Sequence, residues 1–115
     1  MLPKASRIKK ADFPALIKTG RNLSSENFSL KFSPLLDSHH ISLFSVVISK
    51  KITKTAVGRN KLKRRTRYVL SKNFAKLKMG YQVAIFLQTD LLKISYPNLE
   101  RELLTLLTKA RLVHA

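Results

Sequence analysis

From Phe28 to Ser33 the chain alternates, with Phe28, Leu30 and Phe32 set against Ser29, Lys31 and Ser33. A period of two predicts a half-buried strand, which Pro34 stops. Ile41 to Ser49 repeats the pattern, with Phe44, Val46 and Ile48 opposite Ser45, Val47 and Ser49, and Tyr81 to Leu87 is an aromatic and β-branched run that predicts a further strand. Three other stretches carry helical spacing. Asp12 to Gly20 has a capping Asp12, a first-turn Pro14 and a stop at Gly20, with Phe13, Leu16 and Ile17 on one face. Thr55 to Leu77 predicts the longest helix, ended near Met79 and Gly80. Pro97 opens the last, where Leu99, Leu103, Leu106 and Leu107 form a stripe running to Lys109. Asn22 to Asn27 and Gln88 to Asp90 read as turns, and Asp37 to His40 as a loop. The order is helix, two or three strands, long helix, strand, helix. It predicts an α+β single-domain sandwich with helices packed on one small sheet.

Projected at about 100° per residue, the long helix sorts its side chains. Leu62, Thr66, Val69, Leu70, Phe74 and Leu77 fall within about 140°, wide enough to bury against a sheet. Lys61, Arg64, Tyr68 and Lys72 lie opposite, and Arg59, Lys63 and Arg67 run along the flank of the apolar arc. The helix therefore has two basic rims, one facing away from the core and one beside a cleft at the sheet edge.

Charge changes the picture most. Lys and Arg outnumber Asp and Glu 23 to 6 in 115 residues, a formal net charge of +17, while 44% hydrophobic residues still favour a folded chain. Residues 49–67 hold nine of those cations and no acid, and none occurs between Ser38 and Thr89. A solvated helix normally intersperses acids at i,i+4 spacing, so this one needs an external anion. Nucleic acid is the expected partner, ahead of a membrane surface. There is no cysteine, so disulfides and thiolate metal sites are excluded. The first ten residues lack an apolar core of signal-peptide type and read as a flexible basic lead-in rather than a transit peptide, within a single RNA-binding domain spanning residues 1–115. No run approaches the roughly 18 apolar residues that a membrane span needs.

The run Ser49-Lys50-Lys51, followed by Arg59-Asn60-Lys61-Leu62-Lys63-Arg64 and Arg67, resembles the signature of the bacterial ribonuclease P protein component: S-K-K, a spacer, then R-N-R-[IL]-K-R-x-x-R. Lys61 stands where Arg is usual, which keeps the charge and loses the bidentate fork. The spacer Ile52 to Gly58 is one residue longer than in many members. The flanks match as well: Arg7 to Lys10, Asp12-Phe13 and Gly20 look like the family's first helix, Phe28 to Phe32 like its next strand, and Gly80-Tyr81 with Val83 to Leu87 like the strand after the long helix.

The resemblance implies the protein partner of a large catalytic RNA that removes the 5′ leader of precursor tRNA in the cytoplasm. It implies RNA contacts by Lys50, Lys51, Arg59, Asn60, Lys61, Lys63, Arg64, Arg65 and Arg67. It also implies a cleft for the single-stranded leader, which takes in Phe13, Ile17 and Lys31 together with Lys63 and Arg67. Ile17 and Lys31 replace aromatic residues of that cleft, so less base stacking is expected there. The competing expectation is a ribosomal or other structural RNA-binding protein, which needs no such cleft.

Protein-borne hydrolysis would require clustered carboxylates or paired histidines. Asp12, Glu26, Asp37, Asp90, Glu100 and Glu102 are scattered, at positions where capping and helix-dipole complementarity explain them. His39, His40 and His114 read as surface residues. No catalytic residue, organic cofactor or small-molecule ligand is expected in this chain. Magnesium is expected in the whole enzyme, held by RNA.

Overall fold

The computed structural model describes Ile8, Leu16, Lys18 and residues 20–35, 39–91 and 93–113. Strand β1 is Arg21–Ser24, β2 Phe28–Pro34 and β3 Leu43–Val47; helix α1 is Ala56–Lys72, strand β4 Tyr81–Leu87 and helix α2 Tyr96–Lys109. The four strands form one mixed sheet in the order β1-β2-β4-β3, with β3 parallel to β4 and the other pairs antiparallel. Two helices on a four-stranded mixed sheet realise the expected α+β class. Among the described residues no helix is long and apolar enough to cross a membrane.

The alternation in β2 works as expected. Phe28, Leu30 and Phe32 share one buried cluster with Phe44, Val46 and Ile48, and the same cluster takes Leu62, Val69 and Leu70 of α1 and the whole leucine stripe of α2. Both helices therefore lie on one face of the sheet. Leu16 and Ala84 are also fully buried but stand outside that cluster, and Leu16 has helical backbone. Lys18 is helical too, and Phe13 and Ile17 of the predicted first helix lie outside the described residues. After it, the Gly20 amide donates to the Leu16 carbonyl at 2.8 Å. A Cβ at Gly20 would come within 2.6 Å of that carbonyl oxygen, so the position has no room for a side chain.

Three expectations change. The predicted turn at Asn22 to Asn27 overlaps strand β1, whose single apolar residue, Leu23, gives no alternation to read. It is a strand because β2 supplies an edge to pair with, Asn22 opposite Lys31 and Leu23 opposite Leu30. The long helix ends at Lys72, not near Leu77. The Asn73 side-chain amide donates to the Val69 carbonyl at 2.8 Å and to Glu100 at 3.1 Å, and a short 3-10 turn over Phe74–Lys76 follows. Gly80 does adopt positive φ, 85°, but in the turn into β4. There its amide donates to the His40 carbonyl and its carbonyl accepts from Leu35.

The acids also do more than complement helix dipoles. One Glu102 oxygen accepts from Ser25 Oγ at 2.6 Å and from the Asn27 amide at 2.9 Å, and the other accepts from Asn27 Nδ2 at 2.6 Å. Glu100, besides its bond from Asn73, lies 3.5 Å from Lys72 Nζ. These carboxylates fasten α2 to the β1–β2 turn and to the end of α1.

Candidate nucleic-acid interface

The segment before α1 is wound into a turn in which the Ile52 and Thr53 amides both donate to the Ser49 carbonyl at 3.1 Å. Lys50 and Lys51 sit at its tip, exposed. Thr55 then caps the helix, its hydroxyl accepting from the Gly58 amide at 3.1 Å. Such a cap satisfies one of the free amides at a helix start. Arg59 reaches back over the same turn, its Nη1 donating to the carbonyls of Thr53 and Lys54 at 2.9 and 3.0 Å. One cation of the signature is thus also a structural brace.

Beyond Arg59 the helix sorts its cations as the projection expects. Asn60, Lys61, Arg64, Tyr68 and Lys72 are exposed, whereas Lys63, Arg65 and Arg67 are half-buried beside the packed face. The first turn of α1 contains no acid. Its positive dipole end and the cations there reinforce one another, which raises the potential offered to a phosphate. Lys61, Arg64, Arg65, Arg67, Tyr68 and Tyr96 line an open hollow of about 470 Å³ on this outer side.

Lys31 occupies a different surface. It is half-buried on the face of β2 away from Phe28, Leu30 and Phe32, and so on the sheet face opposite the one that α1 covers. The register places it in a row that runs Asn22, Lys31, Ala84, Ser45 across the four strands. The neighbouring row is Ser24, Ser29, Phe86, Val47. Of the residues expected to line a leader cleft, Phe13 and Ile17 lie outside the described residues. Lys31 marks the polar sheet face, and Lys63 and Arg67 lie on the helix packed against the other. Phe86 on the Lys31 face and Tyr96 beside Tyr68 are aromatic residues that sequence reasoning passed over. Strand alternation signals the first, since Phe86 must point away from Ile85. Nothing local signals the second, because Tyr96 meets Tyr68 only through the packing of α2 on α1.

Tyr68 and Tyr96 have ring centroids 5.7 Å apart and tilted by 59°, and Lys72 Nζ lies 6.0 Å from the Tyr96 ring. Burial, then the Glu100 charge and the Tyr68 phenol, raise the Tyr96 pKa above the ordinary tyrosine value. The hydroxyl therefore stays protonated. Among the described residues no group of three or more His, Cys, Asp or Glu side chains could hold a metal ion.

A cationic helix face without acids, laid on a small mixed sheet, with Glu100 and Glu102 of α2 engaged in structural bonds, defines a domain built to meet a polyanion. A family model described as Ribonuclease P matches residues 2–111. The ribonuclease P protein component of Synechococcus elongatus is 36% identical, over 98% of this chain and 96% of the relative. That of Microcystis aeruginosa is 33% identical, over 98% and 97%. Among solved structures, a mutant Staphylococcus aureus RNase P protein superposes with a TM-score of 0.83 at 25% identity, covering 94% of this chain and 90% of that one. The RNase P protein of Thermotoga maritima gives 0.81 at 25% identity, covering 90% and 96%. The chain belongs to the ribonuclease P family, as its protein component. The ribosomal alternative finds no support among these relatives.

Proposed function

We propose that this chain binds the catalytic RNA of ribonuclease P through the outer face of α1 and the Lys50–Lys51 turn, and receives the 5′ leader of precursor tRNA on the polar sheet face that carries Lys31. The observation that carries this reading is the acid-free cationic surface of α1, exposed at Lys61 and Arg64 along a helix anchored by its opposite face. Each cation set against a phosphate displaces a condensed counterion, so binding gains entropy and weakens steeply with salt. By screening phosphate–phosphate repulsion, the protein lets the two RNAs approach at lower magnesium.

Among the described residues the acids are not grouped as ligands for a magnesium ion. In this reading the ion and the hydrolysis of the phosphodiester both belong to the RNA. The work of this chain is binding, orientation and screening, in the cytoplasm where precursor tRNA is processed.

Reconstitution with a bacterial ribonuclease P RNA tests the reading. At low magnesium the protein should increase leader cleavage over RNA alone, and affinity for precursor tRNA should rise as leader nucleotides are added. Lys31→Ala should erode that rise. Cleavage no faster than with RNA alone would overturn the subunit assignment, and indifference to leader length would overturn the sheet-face assignment alone.

A further inference from the structure

The hollow on the outer side of α1 is more particular than a charged surface has to be. Of the six described residues that line it, four are cations, two are tyrosines and none is an acid. Tyr96 is anchored, packed against the core cluster at the first turn of α2. Tyr68 leans on it, yet remains 56% exposed. A supported ring with an open face, surrounded by cations, is the arrangement that holds a nucleobase by stacking and its phosphate by charge.

We propose that this hollow is a nucleotide site, in which one unpaired base of an RNA strand stacks on Tyr68 while Lys61, Arg64 and Arg65 take the adjoining phosphates. The proposal deepens the RNA-binding reading above and rests on it for the identity of the strand. Other occupants fit less well. A second copy of this chain would bring a net charge of +17 against the same sign. A lipid surface needs an apolar outer face, and the exposed large apolar residues among those described are Val57, Tyr68 and Met79, too few and too scattered to insert. The volume of about 470 Å³ lies within the range of small-ligand clefts. The Tyr96 hydroxyl is shielded from solvent and has no hydrogen-bond partner among the described residues. Such a group gains from an acceptor, which a base or ribose can supply when the two rings part slightly.

Proton NMR of the full chain, titrated with adenosine 5′-monophosphate and separately with ribose 5-phosphate, tests the site. The chain has three tyrosines and no tryptophan, so the rings of Tyr68 and Tyr96 are readily followed. The monophosphate should shift both ring signals upfield, and ribose 5-phosphate should bind more weakly and leave them in place. Tyr68→Ala should weaken the monophosphate by about tenfold and Tyr68→Phe by less than about twofold, because the stacking surface and not the hydroxyl is what Tyr68 supplies. Lys61→Ala should weaken both ligands alike. Equal affinity for the two ligands, monophosphate shifts confined to the Lys31 face, or no effect of Tyr68→Ala would each overturn the proposal. Failure to stimulate the catalytic RNA would overturn the subunit reading and leave this titration standing, so the two are separable.

Discussion

Glu102 joins parts of the chain that lie 75 residues apart in sequence. Burial alone would push its carboxyl pKa up, but the bonds from the Ser25 side chain and from the side chain and backbone of Asn27 outweigh burial and hold it below the usual carboxylate value. A carboxyl whose folded pKa is depressed adds stability above its unfolded pKa, and that contribution disappears as the pH falls through the folded one. Urea unfolding followed from pH 7 downward should therefore show a loss of stability below the ordinary glutamate range, and Glu102→Gln should flatten that part of the curve. At pH 7, Glu102→Ala should cost about 1–3 kcal/mol, because it strips charge-assisted bonds and leaves donors unpaired. A pH profile identical to that of the unsubstituted chain would refute the role given to this carboxylate. Nothing in the sequence marks it. An acid in an early turn of a helix looks like dipole complementarity, and its partners appear only when the β1–β2 turn is folded beside α2.

At the scale of elements, α1 carries cations with two kinds of work. Arg59 braces the turn that leads into the helix, and Arg64 faces outward. Arg59→Ala should lower the unfolding free energy by about 1–2 kcal/mol, whereas Arg64→Ala should leave it nearly unchanged. In RNA binding the order reverses: Arg64→Ala should reduce the slope of log affinity against log salt by about one, with the fold intact. Chemical denaturation and salt-dependent binding measured on both variants check the division. Equal loss of stability in the two would show that the signature is one structural unit.

Much at this scale was legible. The apolar arc gave Leu62, Thr66, Val69 and Leu70 as the packed face of α1, and the β2 and β4 patterns gave their strands. The end of α1 was not legible, because Leu77 remains buried and Phe74 half-buried after the helix has stopped, so the stripe continues while the backbone does not. At that point Asn73 caps the helix, its side-chain amide bonding back to Val69 and across to Glu100 of α2. Strand β1 was hidden for the opposite reason, having almost no apolar pattern and depending on the edge that β2 offers. In the candidate site the cations were legible by type and spacing. The hollow was not, since it needs Tyr96 from an element 28 residues beyond Tyr68.

For the whole molecule, a net charge of +17 on 115 residues places stability under the control of counterions. Sodium sulfate should raise the melting temperature more than sodium chloride at equal ionic strength, because sulfate can occupy the cationic face as well as screen it. A stabilisation of about 1 kcal/mol corresponds to a rise of roughly 4–8 °C in a domain of about this size. Calorimetry across the two salts checks this, and a melting temperature indifferent to both would show that self-repulsion is already relieved within the fold.

The parallel pairing of β3 with β4 has a kinetic consequence. Parallel strands cannot be joined by a tight turn, so the chain between them must travel out and return. Here that excursion contains α1 and the whole basic signature. Because β4 lies between β2 and β3, the sheet has no centre until the most repulsive stretch of the chain has been closed into a loop. An anion that lowers this repulsion acts before the native state is reached, at the loop-closing step. It should raise the refolding rate in a stopped-flow experiment as well as slow unfolding. During synthesis, β2 and β3 emerge before β4, and the edges they offer it stay unpaired until it follows.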